Sequence, residues 1–192
     1  TCEPGTNPGF LYQQSTMRDA LVAGLSLNIF NKHCDRVKMA NIAQLINVLQ
    51  AVILTDGPRM LRTPTYHVFH MYKYHQDADL VESYLDGVET IGEEEEYMVP
   101  SLQESVSIDK EGILTITLNN MSVDKDEPVE ISFAECQTKE VTAAILNNEM
   151  HAYNTFEDPD KVHEEVFSNY TVENGMIRFT MPASSVVQFR VR

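Results

Sequence analysis

The spacing of apolar residues changes once along this chain, and that change constrains the fold more than any other feature. Up to about Gln76 they recur at helical intervals; from about Asp79 they recur every second residue, in short runs separated by turn clusters. A chain that switches period in this way is expected to be α+β, with helices gathered in one part and antiparallel strands in the other. The division expected is 1–77 for the helix-rich part and 78–192 for the strand-rich part.

Thr16-Met17-Arg18-Asp19 has the spacing of a capping box ahead of an apolar run. Met17, Ala20, Leu21, Gly24, Leu25 and Asn28 share one face of the helix that follows, and Val22, Ile29 and Phe30 widen the stripe. Such a helix is expected to be buried on more than one side. Lys32 and His33 suit the negative end of its dipole. Val37 to Ala43 has the length of a strand, with Ala40 and Ala43 small enough for a crowded interior; a helix from Asn41 to Ala51 fits the propensities equally. Thr55-Asp56-Gly57-Pro58 is a turn signal. Thr63-Pro64 opens a helix over Thr65 to Tyr74, with Val68, Met71 and Tyr72 facing inward. Helix, strand, helix is the order left when a βα-repeat protein is cut near its end. The opening Thr1-Cys2-Glu3-Pro4-Gly5-Thr6 has no basic or apolar leader, and reads as a loop entered midway in a longer protein.

In the second part, Leu102 to Ile108 alternates poorly and Ile113 to Leu118 alternates cleanly. Val129 to Phe133, Val141 to Leu146, Met176 to Met181 and Val186 to Val191 complete the strands. The turn clusters between them are Asp109 to Gly112, Asp124 to Pro128 and Glu173-Asn174-Gly175. This spacing predicts an antiparallel β-sandwich, jelly-roll-like in form.

The net charge of −15 argues against nucleic acid and anionic membrane surfaces as partners, because phosphate binding needs clustered Lys and Arg. No apolar run is long enough to span a bilayer, so a soluble protein is expected. Cys2, Cys34 and Cys136 are odd in number and widely spaced, which favours free thiols in a reducing compartment and leaves a periplasmic or secreted location open. No Gly-rich phosphate loop and no GxSxG elbow is present. The acidic residues fall mostly in turns and on strand faces; Glu3 and Asp56 have no evident partner for a carboxylate pair. His67 and His70, three residues apart, could offer two metal ligands, but packed helix histidines are the commoner meaning. Asn120-Met121-Ser122 and Asn169-Tyr170-Thr171 match the glycosylation triplet, a pattern common by chance. Gln44 stands out. At the C-terminal end of a barrel strand it would sit on the rim where barrel enzymes build their sites, with an amide able to donate to and accept from sugar hydroxyls. A glutamine on a helix surface fits the pattern as well.

The run His33 to Gln50, with Lys38-Met39-Ala40-Asn41-Ile42-Ala43-Gln44 at its centre, resembles the last barrel strand of glycoside hydrolase family 51. Glu3-Pro4-Gly5-Thr6-Asn7-Pro8 through Asp19-Ala20-Leu21 resembles the approach to it. Thr63 to Tyr72 is similar to the final barrel helix, and Met181 to Val187 to the closing strand. The resemblance implies the last helices and strand of a (β/α)8 TIM barrel, followed by the sandwich. It implies the C-terminal portion of a retaining exo-hydrolase that releases terminal α-L-arabinofuranose from arabinan, arabinoxylan and arabino-oligosaccharides. Two glutamates act in the family, and both precede the region matched here; the nucleophile lies in an Asp-Glu-Trp context, whereas this sequence contains no Trp. No catalytic residue is therefore carried over. Gln44 alone matches a family residue, the glutamine that hydrogen-bonds the bound arabinose. No metal or organic cofactor is implied. The expected partners are an arabinofuranosyl oligosaccharide or polysaccharide, the N-terminal part of the same enzyme and further copies in a homo-oligomer. The competing reading is a non-catalytic carbohydrate-binding or assembly sandwich, weakened by the lack of Trp for stacking on sugars.

Overall fold

The clean alternation Leu114-Thr115-Ile116-Thr117-Leu118-Asn119 marks a strand with one apolar and one polar face, and it lies at the centre of the molecule. The structure is a computed structural model that describes residues 15–42, 45–93, 97–134 and 140–192. The helical part comprises α1 (Met17–Lys32), the short hairpin β1 (Ile53–Asp56) and β2 (Arg59–Arg62), and α2 (Pro64–Tyr72), which tightens into a 3-10 turn over Lys73–His75. Then follow β3 (Asp79–Val81), β4 (Thr90–Ile91), β5 (Val99–Pro100), β6 (Leu102–Ile108), β7 (Leu114–Asn120) and β8 (Glu127–Ile131). The last strands are β9 (Val141–Asn147), β10 (Glu165–Val166), β11 (Tyr170–Glu173), β12 (Met176–Met181) and β13 (Ser185–Val191).

Six strands form one antiparallel sheet in the order β10-β9-β13-β7-β6-β3, and three form a second in the order β11-β12-β8. Their facing sides enclose an apolar core of Leu102, Leu114, Ile116, Leu118, Val129, Ile177, Phe179, Met181, Val187 and Phe189. Phe167, Phe179 and Phe189 meet there with ring centroids 5.0 to 6.2 Å apart, within the range of favourable aromatic pairs. The β11–β12 hairpin turns through Asn174 and Gly175, both at positive φ (52° and 76°), as a tight two-residue hairpin requires.

Every residue of β7 is buried, the polar ones included. Helices α1 and α2 lie across the other face of the larger sheet. Met17, Ala20 and Leu21 of α1 and Val68, Met71 and Tyr72 of α2 pack with Leu146 and Val186 of that sheet. The molecule is thus layered as helix pair, six-stranded sheet and three-stranded sheet, and the helical part shares a core with the sandwich.

The strands read from alternation are all present, with ends shifted by a residue or two. Two expectations need correction. Val37 to Ile42 carries no strand; the segment is irregular and largely exposed, and Ala43 lies outside the described residues. A parallel barrel strand is held only by ladder bonds to strands on either side, and no described strand flanks this segment. Helix α1 is buried along one face rather than several: Val22, Ile29 and Phe30 remain 52, 42 and 39% exposed. The turn signal at Thr55 to Pro58 closes the β1–β2 hairpin, with Gly57 at φ 57°.

Candidate functional site

Gln44, the one binding residue drawn from the sequence, lies outside the described residues. Leu45 to Ile53 forms a loop closed by its own backbone. The Asn47 N–H donates to Ile53 O (3.2 Å) and the Ile53 N–H to Leu45 O (3.2 Å), so that Ile46 and Ile53 form an isolated parallel bridge. Two non-glycine residues of this loop, Asn47 (φ 54°) and Gln50 (φ 60°), are in the left-handed region, which costs of order 1 kcal/mol or more and persists only where the surroundings hold it. Both are held. Asn47 Nδ2 donates to Thr55 Oγ1 (2.8 Å) and Thr55 O (3.2 Å), while Asn47 Oδ1 accepts from the Thr55 N–H (2.7 Å). Gln50 Nε2 donates to Asp19 Oδ1 (3.0 Å). The other oxygen of Asp19 accepts from Thr16 N and Thr16 Oγ1, both at 2.8 Å, in the capping box at the start of α1. Downstream, Ala51 and Val52 are buried, and Thr63 Oγ1 donates to Ala51 O (2.9 Å).

The outer side of this loop opens on a cleft of about 450 Å³, with Leu49, Leu54, Leu61 and Phe156 as apolar lining and Thr55, Tyr153 and Glu157 as polar lining. Arg59 stands over the Phe156 ring at 4.7 Å and pairs with Glu157 and Asp56.

The interface beneath the helices is polar. Asn28 Oδ1 accepts from Tyr72 Oη (2.9 Å), Ser105 Oγ (2.8 Å) and Thr117 Oγ1 (2.8 Å). A carbonyl oxygen has two lone pairs, so the three hydroxyls share it, and Ser105 and Thr117 also reach each other at 3.1 Å. His75 bridges Ser107 Oγ (Nδ1, 2.7 Å) and Thr117 Oγ1 (Nε2, 3.0 Å). Burial lowers the His75 ring to about 4 and pushes the Tyr72 hydroxyl well above its ordinary value, so both are neutral near pH 7. Helix α1 comes close enough that a Cβ on Gly24 would lie 2.5 Å from the Asn119 amide. At the end of α1, Lys32 Nζ donates to the buried Glu104 (2.5 Å). Alternation alone could not show this layer, because a polar strand face reads the same whether it meets water or a polar helix.

The two α2 histidines part company. His67 is buried with neither ring nitrogen hydrogen-bonded, and burial lowers it to about 4, opposed by Glu164. His70 is at the surface, its Nδ1 2.6 Å from Glu164. Among the described residues no group of three or more His, Cys, Asp or Glu is arranged to hold a metal. Asn120, the first residue of one glycosylation triplet, is wholly buried; its amide donates to Lys125 O (3.0 Å) and Pro182 O (3.1 Å), a structural role.

A helix pair laid on the larger sheet of an unequal antiparallel sandwich defines a helix-flanked β-sandwich module. Over residues 1–185 the sequence matches the family described as the alpha-L-arabinofuranosidase C-terminal domain, and the chain belongs to that family. It is 40% identical over 191 residues to an intracellular exo-alpha-L-arabinofuranosidase of Bacteroides ovatus, covering 99% of this chain and 37% of that protein. It is similar in structure to the family 51 arabinofuranosidase of Xanthomonas axonopodis pv. citri, with a TM-score of 0.91 and 39% identity over 100% of this chain and 38% of that one. It also resembles the alpha-L-arabinofuranosidase of Thermotoga maritima solved with arabinose, with a TM-score of 0.81 and 25% identity over 97% of this chain and 40% of that one. The chain therefore spans about two fifths of the length of these relatives.

Proposed function

We propose that this chain works as the C-terminal portion of a retaining, exo-acting α-L-arabinofuranosidase that removes terminal non-reducing α-L-arabinofuranosyl residues from arabinan, arabinoxylan and arabino-oligosaccharides. The observation that carries the reading is the 40% identity to an exo-arabinofuranosidase over 99% of the chain. In this reading residues 1–77 complete a catalytic (β/α)8 barrel and residues 78–192 form its sandwich. The two catalytic carboxylates come from the part of the enzyme that precedes this chain. Gln44 hydrogen-bonds the arabinose, where an oriented amide in a water-poor site discriminates strongly between bound states. Copies of the whole enzyme assemble as a homo-oligomer.

One feature of the surface supports the division. Val22, Ile29 and Phe30 are exposed together along the outer side of α1, and the irregular segment after it carries Met39, 77% exposed. An apolar side of this kind on a helix docked by its other face fits a neighbouring layer, and the remaining barrel is such a layer. The test compares the isolated chain with the full-length enzyme on an aryl α-L-arabinofuranoside. Turnover by the full-length enzyme and none by the isolated chain is expected; turnover by the purified chain alone would overturn the division of labour.

A further inference from the structure

We infer that the connection from β9 to β10, residues 148–164, is a strap released by a proton on His67. With the ring neutral the strap seals the starts of both helices; with the ring protonated it lifts away while the sandwich stays folded. The strap carries no strand, only a single bridge from Tyr153 to Thr16. Its hold on the helices is specific. Ala152 O accepts from the Met17 N–H and Met150 O from the Arg18 N–H, both at 2.9 Å. The strap thus supplies acceptors for two first-turn N–H groups that a helix cannot satisfy by itself. Asn154 Nδ2 donates to Arg62 O (2.8 Å), just ahead of α2. Asn154 also closes the strap on itself, through Val162 N (2.7 Å) and Val162 O (2.8 Å). Ala152 and Val162 are buried with Met17, Val68 and Met71.

His67 lies on the buried side of α2 and faces the end of this strap. The charges that act on it are Glu164 and His163 of the strap, Arg62 of β2 and His70 of its own helix. Both of its ring nitrogens are buried and unbonded. The chain itself closes them off, so no group from the rest of the enzyme reaches them. A neutral ring fits there, packed edge-on against Tyr66 at 5.4 Å. A protonated ring would bury a charge and two N–H donors with no acceptor. Glu164 is the one anion among those four groups, and His70 Nδ1 already holds it at 2.6 Å. Lys73 Nζ lies 2.7 Å from His70 Nε2 and can only donate, so the His70 proton is on Nδ1 and points at Glu164. The other elements packed on α2 offer no counter-ion. Asp19 of α1 is engaged in its capping box, Lys32 on Glu104, and Arg190 of β13 over the Tyr74 ring at 3.9 Å; β9 carries no charged residue. Uncovering His67 relieves the buried charge, and the strap yields first because a single bridge, not a ladder, holds it.

The test is native-state hydrogen exchange on the full-length enzyme at pH 7 and pH 5, with each rate divided by its intrinsic value. His67 titrates at about 4 in the closed fold and at 6.5 when uncovered, so the strap should open about twentyfold more often at pH 5 than at pH 7. Its amides should lose protection by that factor. His67→Phe, which cannot titrate and forfeits no hydrogen bond, should remove the loss, as should His67→Gln. His75→Gln should leave it unchanged, because His75 stays covered between Ser107 and Thr117 when only the strap moves. Equal protection of the strap at the two pH values in the unsubstituted enzyme would overturn the inference. A loss that persists in both His67 variants would overturn it too. So would a strap loss that tracks the loss in β7 and shrinks in His75→Gln, since the strap would then open only with the whole chain.

Discussion

The two sides of the six-stranded sheet are held by different chemistry. On the sandwich side most contacts join apolar side chains, with Ile116, Leu118, Val187 and Phe189 meeting Ile177, Phe179 and Met181, and polar bonds between the sheets run from Asn120 Nδ2 to Met181 O (3.3 Å) and from Tyr170 Oη to Val141 O (2.8 Å). On the helix side, Ser105, Ser107, Thr117 and Asn119 meet Asn28, Tyr72 and His75. Apolar packing is non-directional and tolerates adjustment. A hydrogen-bonded layer permits few arrangements, and each unpaired member is costly. The difference teaches that the helix side adds to its own apolar contacts, Met17, Ala20 and Leu21 against Leu146 and Val186, a polar layer that fixes how α1 lies and hence where Asp19, in its capping box, meets Gln50.

That contrast can be broken at several points. Phe189→Ala removes the centre of the apolar side and should destabilise the chain by about 4 kcal/mol in urea unfolding; a loss near that of a surface substitution would break the comparison. Acid should act on the helical side. His67 and His75 are lowered to about 4 in the fold, against 6.5 when unfolded. The unfolded chain therefore binds more protons between those values. The stability from keeping these rings neutral is complete above pH 6.5, is lost as pH falls toward 4, and should amount to on the order of 3 kcal/mol for each ring. His75→Gln should flatten the slope of the denaturation midpoint over that window, and an unchanged slope would exclude His75.

Gly24→Ala should cost about 1–2 kcal/mol. The usual helix gain of about 1 kcal/mol from Gly to Ala is outweighed by a Cβ placed 2.5 Å from the Asn119 amide. Most of that cost should vanish in an Asn119→Ala background; equal costs in both would show that Asn119 is not the obstacle. Ile29→Lys, on the outer side of α1, should change the stability of the isolated chain by less than about 0.5 kcal/mol. A larger loss would mean that this side is already packed within the chain.

Much of this was legible beforehand. The capping box at Thr16 to Asp19 and the face through Met17, Leu21 and Asn28 predict α1, and period-two alternation predicts the longer strands, because both patterns are imposed by backbone geometry. The short β1 and β2 strands were visible only as their turn, since four residues carry too little alternation. The polar layer was invisible because Ser105, Thr117 and Asn119 find their partners on helices distant in the sequence. The strand read over Val37 to Ala43 rested on length and small residues, which do not supply the neighbouring strands a ladder needs. Gln44 stands out by its place after that segment and by family resemblance, whereas the bonds between Asn47 and Thr55 have no signal in the sequence beyond an Asn in a short loop.

Helix α1 is an integral layer of the sandwich, held by the Asn28–Tyr72–Thr117 contacts, and the bond from Gln50 to Asp19 depends on its staying there. Native-state hydrogen exchange on the isolated chain tests this directly. Amides of residues 21–28 should be protected to within about tenfold of those in β7, as members of one cooperative unit. Exchange of those helix amides near the unfolded rate, with β7 still protected, would contradict it.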